Sequence, residues 1–326
     1  MIKIAFVGAV EMSWHALDEL IKQGVSPAIV VLLHPELARR HSDFADLAPL
    51  AEANGIPLLY VNNINEPESM EVLKDLALDY VFIMGWSQIL KPELLALPRV
   101  SCVGYHFAYL PRNRGRAALP WVILNGENEA GVSLMHLDEG LDSGDLITER
   151  RYPVAADERV STLYQKACNG LRDMMREVAG YLKEGKPLPA VPQDHSRATY
   201  LAKRTADDGW IEWNQSAIEI DRLIRAVGKP YPGAFTIYRD QKLIIWEARL
   251  RQSFNHTGTV GQILTINEDS VTVQCGSGYI DLLTVQLEGG EEMPARIFFK
   301  HVHEKLGVDA YSLWKKLQQV LNFREG

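Results

Sequence analysis

Cysteine is scarce in this chain: Cys102, Cys168 and Cys275 are the only three in 326 residues, far apart and without Cys-x-x-Cys spacing. That excludes a disulfide framework and a cysteine zinc site, and it fits a reducing, cytoplasmic setting. No apolar run is long enough to span a bilayer, so no membrane partner is expected. The amino terminus turns acidic at Glu11 and lacks the long apolar core of a secretory signal. Charge of one sign is nowhere concentrated: 34 Lys and Arg stand against 42 Asp and Glu, a formal charge of -8. A broad nucleic-acid footprint is therefore not expected, although a local basic channel stays open. Finally, the first turn, Gly8-Ala9-Val10-Glu11-Met12, is not Gly-x-Gly-x-x-Gly, which argues against a nicotinamide cofactor.

What is present suffices for a large core and two domains: 47% of the residues are hydrophobic. Ile2 to Val7, Ala28 to Leu33, Pro57 to Val61, Tyr80 to Met84 and Val100 to Tyr105 are short apolar runs alternating with helical patterns. This alternation predicts an α/β domain with a parallel, doubly wound, Rossmann-like sheet. A long helix is expected from about Ser161 to Glu184, followed by a Pro-rich linker at Pro187, Pro189 and Pro192. Ser216-Ala217-Ile218-Glu219 has capping-box spacing ahead of a short amphipathic helix. Short strands follow, from Phe235 to a last run near Ala295, and suggest a small β-barrel. The expected division is a sheet domain at 1–190, a linker at 191–204, a β domain at 205–305 and a closing helix within 306–326.

The densest chemical signal runs from His106 to Asp145. His106 ends an apolar strand run, where ligands of open α/β sheets bind. It opens His106-Phe107-Ala108-Tyr109-Leu110-Pro111-Arg112-Asn113-Arg114-Gly115-Arg116. Asn125-Gly126, then Gly131, then Leu141-Asp142-Ser143-Gly144-Asp145 come next. Further on stand Arg204-Thr205, Asp207-Asp208, Ile211 and Trp213, followed by Arg225-Ala226-Val227 and Pro230-Tyr231-Pro232-Gly233-Ala234-Phe235.

With these motifs in this order, the chain resembles the folate-dependent formyltransferases over nearly its whole length. The resemblance implies an OB-like second domain, 10-formyltetrahydrofolate as co-substrate, no metal, and an amine acceptor. It implies catalytic positions for His106 and Asp142. A histidine can take the amine's proton or donate to the developing oxyanion, and a carboxylate can orient it. It also implies that the pterin meets the loop Gly85 to Leu90 and the segment His136 to Leu141. Gly85, Trp86, Gln88, Ile89, Leu90, Asp138 and Leu141 are the candidate contacts, with Trp86 as an apolar wall. Arg112, Asn113, Arg114 and Arg116 are candidates for holding the acceptor, since arginine forks match phosphate and carboxylate groups.

Arg114-Gly115-Arg116-Ala117 and the Arg204 segment are similar to modules that formylate a nucleotide-linked amino sugar, so that acceptor is the expectation. Methionyl-tRNA ranks second, because net charge disfavours it and Leu33 to Ser42 lacks a basic insertion. A homo-oligomer is left open. One departure stands out: the family pattern is Asn-x-His, and here it is Gly104-Tyr105-His106. Losing one oxyanion donor typically costs about 2.7–4 kcal/mol. Asn113, Asn125, Ser133 or a backbone N–H near Gly104 could replace it. The hydrolase module of 10-formyltetrahydrofolate dehydrogenase also lacks that Asn, and its Ser-Gln-x-x-Pro stretch is similar to Ser87-Gln88-Ile89-Leu90-Lys91. Water is thus a third acceptor, and a folate- or nucleotide-binding protein without catalysis a fourth reading. In His301-Val302-His303-Glu304 the alternate residues have no further partner nearby and read as a solvated edge, and no metal is assigned. Asp207-Asp208 reads as a helix start.

Overall fold

The computed structural model describes residues 2–38, 44–308, 313–314 and 317–318. Its contacts divide into two compact units, Met1–Val122 with Glu127–Lys203, and Ile123–Gly126 with Arg204–Gly326. Up to the first site loop the elements are β1 (Ile4–Gly8), α1 (Glu11–Lys22), β2 (Ile29–Leu33), α2 (Pro35–Ala38), α3 (Ala48–Ala53), β3 (Leu58–Val61), α4 (Pro67–Asp75) and β4 (Tyr80–Met84). Then come α5 (Pro92–Leu95), β5 (Ser101–His106), β6 (Arg114–Gly115), α6 (Ala118–Leu124), β7 (Glu129–His136), β8 (Leu146–Pro153), α7 (Val160–Lys183) and β9 (Tyr200–Leu201).

The seven-stranded sheet runs β3-β2-β1-β4-β5-β7-β8. Its first five strands are parallel, while β7 pairs antiparallel with β5 and β8. β1, β2 and β4 are continuous apolar runs buried throughout. A parallel sheet covered on both faces requires this pattern. The five expected strands are found within two residues of their expected ends. Gly131 to His136 reads as a strand in the sequence and is β7, but its antiparallel pairing and the edge strand β8 were not expected: β8, Leu146–Pro153, carries Glu149, Arg150 and Arg151 and does not read as a buried run.

Helix α7 packs on β7, β8 and α1. Its apolar residues recur every three or four positions, and Leu163, Ala167, Leu171, Met174, Met175 and Val178 are buried. Gly170 faces Val132, whose methyl would lie 2.9 Å from an added Cβ, so the helix and strand approach closely there. The stretch expected as a linker is folded onto the first unit: Val191 bridges to Leu146, and β9 pairs with β6.

The second unit contains α8 (Ala217–Ala226), β10 (Ala234–Tyr238), β11 (Gln241–Arg251), β12 (Ile263–Ile266), β13 (Val271–Gln274), β14 (Tyr279–Leu287), β15 (Glu292–Pro294) and α9 (Ala295–Phe298). Its antiparallel sheet follows β10-β11-β14-β13-β12, with β15 on β14. Register shifts at Ile245 to Ala248 bend the long strand β11, as an OB-like sheet requires. The Ser216 capping box forms as its spacing predicts, with Ser216 Oγ accepting from the Glu219 amide. Asp208 accepts from the Thr205 amide and hydroxyl, so Asp207-Asp208 is a turn and helix start. The closing helix expected within 306–326 lies largely outside the described residues, as does the end of the Leu33 to Ser42 stretch.

Leu171 is fully buried on α7. Leu171→Ala should lower unfolding stability by about 2–5 kcal/mol. Urea denaturation should show a lower midpoint with an unchanged slope.

Candidate active site

Three chain segments converge on one cleft of about 580 Å³ within the first unit, a volume in the range of small-ligand sites. They are the loop after β4 (Gly85 to Leu90 with Pro92), the end of β5 with Gly115 and Arg116, and the loop after β7 (Leu137 to Asp142). Expected residues Gly85, Trp86, Gln88, Ile89, Leu90, Arg116, Asp138, Leu141 and Asp142 all line it. His106 lies behind that lining, 9% exposed, and Arg112, Asn113 and Arg114 are not part of it.

Each loop is held by specific bonds. Gly85 takes φ +64° and passes so close to Val10 that a Cβ would sit 2.2 Å from a Val10 methyl. The Gln88 carboxamide accepts from the Ile64 amide (3.0 Å) and donates to the Asn62 carbonyl (2.7 Å). Asn65 donates to the Ile89 carbonyl and accepts from the Lys91 amide. Gln88 thus anchors the loop with its polar atoms. Ile89 is left 84% exposed, and across the cleft Leu141 is 56% exposed. Trp86 Nε1 is buried without a partner. A wall of exposed apolar side chains suits the face of a flat heterocycle.

After β7, Asp138 accepts from the Gly140 amide and the Ser143 hydroxyl, and the His136 amide donates to the Asp145 carbonyl. A Cβ on Gly144 would stand 1.8 Å from the His136 carbonyl oxygen, so only glycine closes this turn. Asp142 adopts φ +50° at its tip. There its Oδ2 accepts from the Gly115 amide (2.8 Å) and stands 3.6 Å from His106 Nδ1. His106 Nε2 lies 2.6 Å from the Asn113 carbonyl oxygen. A carbonyl only accepts, so Nε2 carries the proton, and Nδ1 is the nitrogen that faces Asp142.

The arginine turn differs from expectation. Arg114 is 2% exposed, and its guanidinium donates to Gln193 Oε1 (2.6 Å), His195 Nδ1 (3.1 Å) and the Tyr200 hydroxyl (3.3 Å). It is an internal strut and is not open to an acceptor. The Asn113 carboxamide donates to Glu127, so its contribution to the site is its backbone carbonyl. Arg112 is exposed and donates to the Tyr109 hydroxyl, while Arg116 is the exposed cation of the cleft.

Of the proposed replacements for the missing Asn, Ser133 is fully buried and already bonds Ala108 and Leu110. Asn125 does not line the cleft. The space beside Gly104 is filled: an added Cβ would lie 2.8 Å from a Leu137 methyl. Asn65, Gln193 and Tyr200 carry no sequence signal, because their roles rest on contacts distant in sequence. Among the described residues, no group of three or more His, Cys, Asp or Glu side chains could hold a metal ion, and no helix is long and apolar enough to cross a membrane.

The chain matches the family model of the formyl transferases, "Formyl transferase", over residues 2–178, and that of the "Formyl transferase, C-terminal domain" over 203–303. It is 32% identical over 299 residues to methionyl-tRNA formyltransferase from Citrifermentans bemidjiense, covering 91% of this chain and 92% of that protein. It is 33% identical to the methionyl-tRNA formyltransferase of Caldanaerobacter subterraneus, covering 90% and 95%. Among solved structures, HypX from Aquifex aeolicus in complex with tetrahydrofolic acid matches with a TM-score of 0.64 at 19% identity. That match covers 93% of this chain, which spans about half of HypX, 48%. The N-formyltransferase from Helicobacter canadensis, in complex with folinic acid and dTDP-3-aminofucose, matches with a TM-score of 0.63 at 19% identity, covering 87% and 99%.

Burial pushes all three thiols, Cys102, Cys168 and Cys275, up to about 12. Since the thiolate is the reactive form, the native protein at pH 8 should leave all three unmodified by a thiol reagent over minutes, and urea should expose all three. Rapid labelling of one in the native state would contradict this burial.

Proposed function

The chain belongs to the formyl transferase family, and we propose that it moves the formyl group of 10-formyltetrahydrofolate to the amine of methionyl-tRNA. The observation that carries this acceptor is the likeness, above 30% identity, to methionyl-tRNA formyltransferases along nearly the whole of both chains. Sugar formyltransferases share the fold at 19% identity. The amino-sugar acceptor expected from the sequence leaned on Arg114 to Ala117 and on the Arg204 segment; of these, Arg114 is buried and bonded internally, while Arg116 is exposed in the cleft.

In this reading His106 and Asp142 are the catalytic pair. As the amine nitrogen bonds to the formyl carbon, Nδ1 of His106 takes the amine's proton while Nε2 stays bonded to Asn113; when the bond from that carbon to N10 of the folate breaks, the proton passes to N10. In between, Asp142 faces the imidazolium at 3.6 Å. The cleft fits the folate: Trp86, Ile89, Leu90 and Leu141 offer apolar faces, and Arg116 offers a cation to a carboxylate of the folate tail or a phosphate of the acceptor. We assign catalysis to residues 1–190, which carry His106, Asp142 and the cleft.

A second reading has its own support. Gly104 supplies no side-chain donor, and Leu137 occupies the adjoining space. Water as acceptor, with hydrolysis of 10-formyltetrahydrofolate, follows if transfer to amines is slow for want of that donor.

Tetrahydrofolate release should be measured with methionyl-tRNA, with nucleotide-linked amino sugars and with no acceptor. Release dependent on methionyl-tRNA is expected; dependence on an amino sugar overturns the acceptor, and release without any amine makes hydrolysis the activity. His106→Ala and Asp142→Asn should each lower turnover by about 10²–10⁴ with unchanged melting, and wild-type rates in either reject the catalytic pair. Gly104→Asn combined with Leu137→Ala should raise transfer relative to hydrolysis at least about tenfold, within the range for an oxyanion donor. An unchanged ratio would show that Gly104 does not set the partition.

A further inference from the structure

The stretch from Gln193 to Leu201 grips both members of the His106–Asp142 pair from behind. Gln193 is 6% exposed. Its Nε2 donates to the backbone carbonyls of Asp142 (3.0 Å) and Gly144 (2.6 Å), and its Oε1 accepts from Arg114 (2.6 Å). One carboxamide therefore ties the loop after β7 to strand β6. Through Gly115, the same strand supplies the amide that holds the Asp142 carboxylate. Six residues on, Thr199 accepts from the Asn113 amide through its hydroxyl (2.8 Å) and from the Arg114 amide through its carbonyl (2.9 Å). Asn113 in turn offers its carbonyl to His106.

The bond set is asymmetric. Asp142 at φ +50° occupies a sparsely populated region that a free loop would leave. Bonds within the loop, from Asp138 to Gly140 and Ser143, shape its beginning. The carbonyls of Asp142 and Gly144 themselves receive their donor from Gln193.

We infer that Gln193 is a positioning residue: it holds Asp142 in its left-handed conformation, carboxylate toward His106, without touching substrate. The inference rests on the assignment of His106 and Asp142 as the catalytic pair. A displacement of about 1 Å at such a pair can cost on the order of 100-fold in rate.

Gln193→Leu removes both donors and the acceptor at similar size; Gln193→Glu keeps the acceptor for Arg114 and removes both donors. In both, kcat should fall about 10- to 100-fold with the KM for 10-formyltetrahydrofolate within twofold of wild type. Amide exchange at residues 140–145 and at Gly115 should quicken while that of β1 and β4 stays unchanged. In an Asp142→Asn background, either substitution should cost less than twofold more. A full multiplicative loss in the double variant, or unaltered exchange at 140–145, overturns the inference, because Gln193 would then act elsewhere. Should Gln193→Leu fail to fold, Gln193→Glu carries the same comparisons. If the wild-type protein releases no tetrahydrofolate with any acceptor, the catalytic assignment fails on its own account, and the exchange data alone judge whether Gln193 holds the loop.

Discussion

The bond from the Gly115 amide to the Asp142 carboxylate is the contact on which the site's geometry depends. It joins a loop that follows β7 to a two-residue strand that follows β5, and it brings the carboxylate within 3.6 Å of His106. Both ends are conformationally costly. Asn113, Ala117 and Asp142 are non-glycine residues at φ between +50° and +59°, and such residues cost of order 1–3 kcal/mol each. Gly115 at φ +109° could bear no side chain, since a Cβ would lie 2.4 Å from the Leu201 carbonyl oxygen. That strain persists because the surrounding bonds over-determine it. Strand β9 closes on β6, Arg114 is fixed by three acceptors, and Gln193 fixes the loop carbonyls.

The sheet explains why such bracing is required. In the parallel half, the β4 and β5 exits open on the same edge, so Gly85 and His106 arrive there without further help. β7 runs the other way, and its end, His136, pairs with Val103, three residues short of His106. The loop after it must travel back along β5 to deliver Asp142. A nine-residue return over a strand surface, closed at Gly144 and capped by Asp138, needs bonds from outside itself to keep one conformation.

Much of this was legible in residues that speak locally. Apolar runs of five residues between helical patterns give the parallel strands, and the spacing of Ser216 and Glu219 gives a helix start. His106 and Asp142 stand out through motif order. Illegible were the features set by partners far away in sequence. Arg114 looks like a surface cation in an Arg-Asn-Arg-Gly-Arg turn, yet three groups 79 to 86 residues downstream bury it. Gln88 looks like a ligand contact, yet its amide is spent on Asn62 and Ile64. β8 alternates charge and apolar side chains too weakly to declare itself, and Val191 to Leu201 reads as a linker because Pro192 hides the strand pairing that follows.

The same return path accounts for Gly104. Where the loop leaves β7, the Leu137 amide donates to the Cys102 carbonyl, which sets its side chain against the strand at position 104. With Leu137 in that place, any residue bearing a Cβ at 104 meets a methyl at 2.8 Å. An Asn at 104 and Leu137 in its observed rotamer therefore exclude one another, and the glycine is the steric partner of the leucine. Leu137 is itself a wall of the cleft. The exchange swaps a polar amide beside His106 for apolar surface, in a site where Ser133 and the Asn113 carboxamide are already committed elsewhere. In the proposed transfer, charge developing on the formyl oxygen must then be met by backbone N–H groups or by the acceptor itself. His106 is held from both sides, by Asn113 and by the braced Asp142, so both of its ring nitrogens already face an acceptor atom.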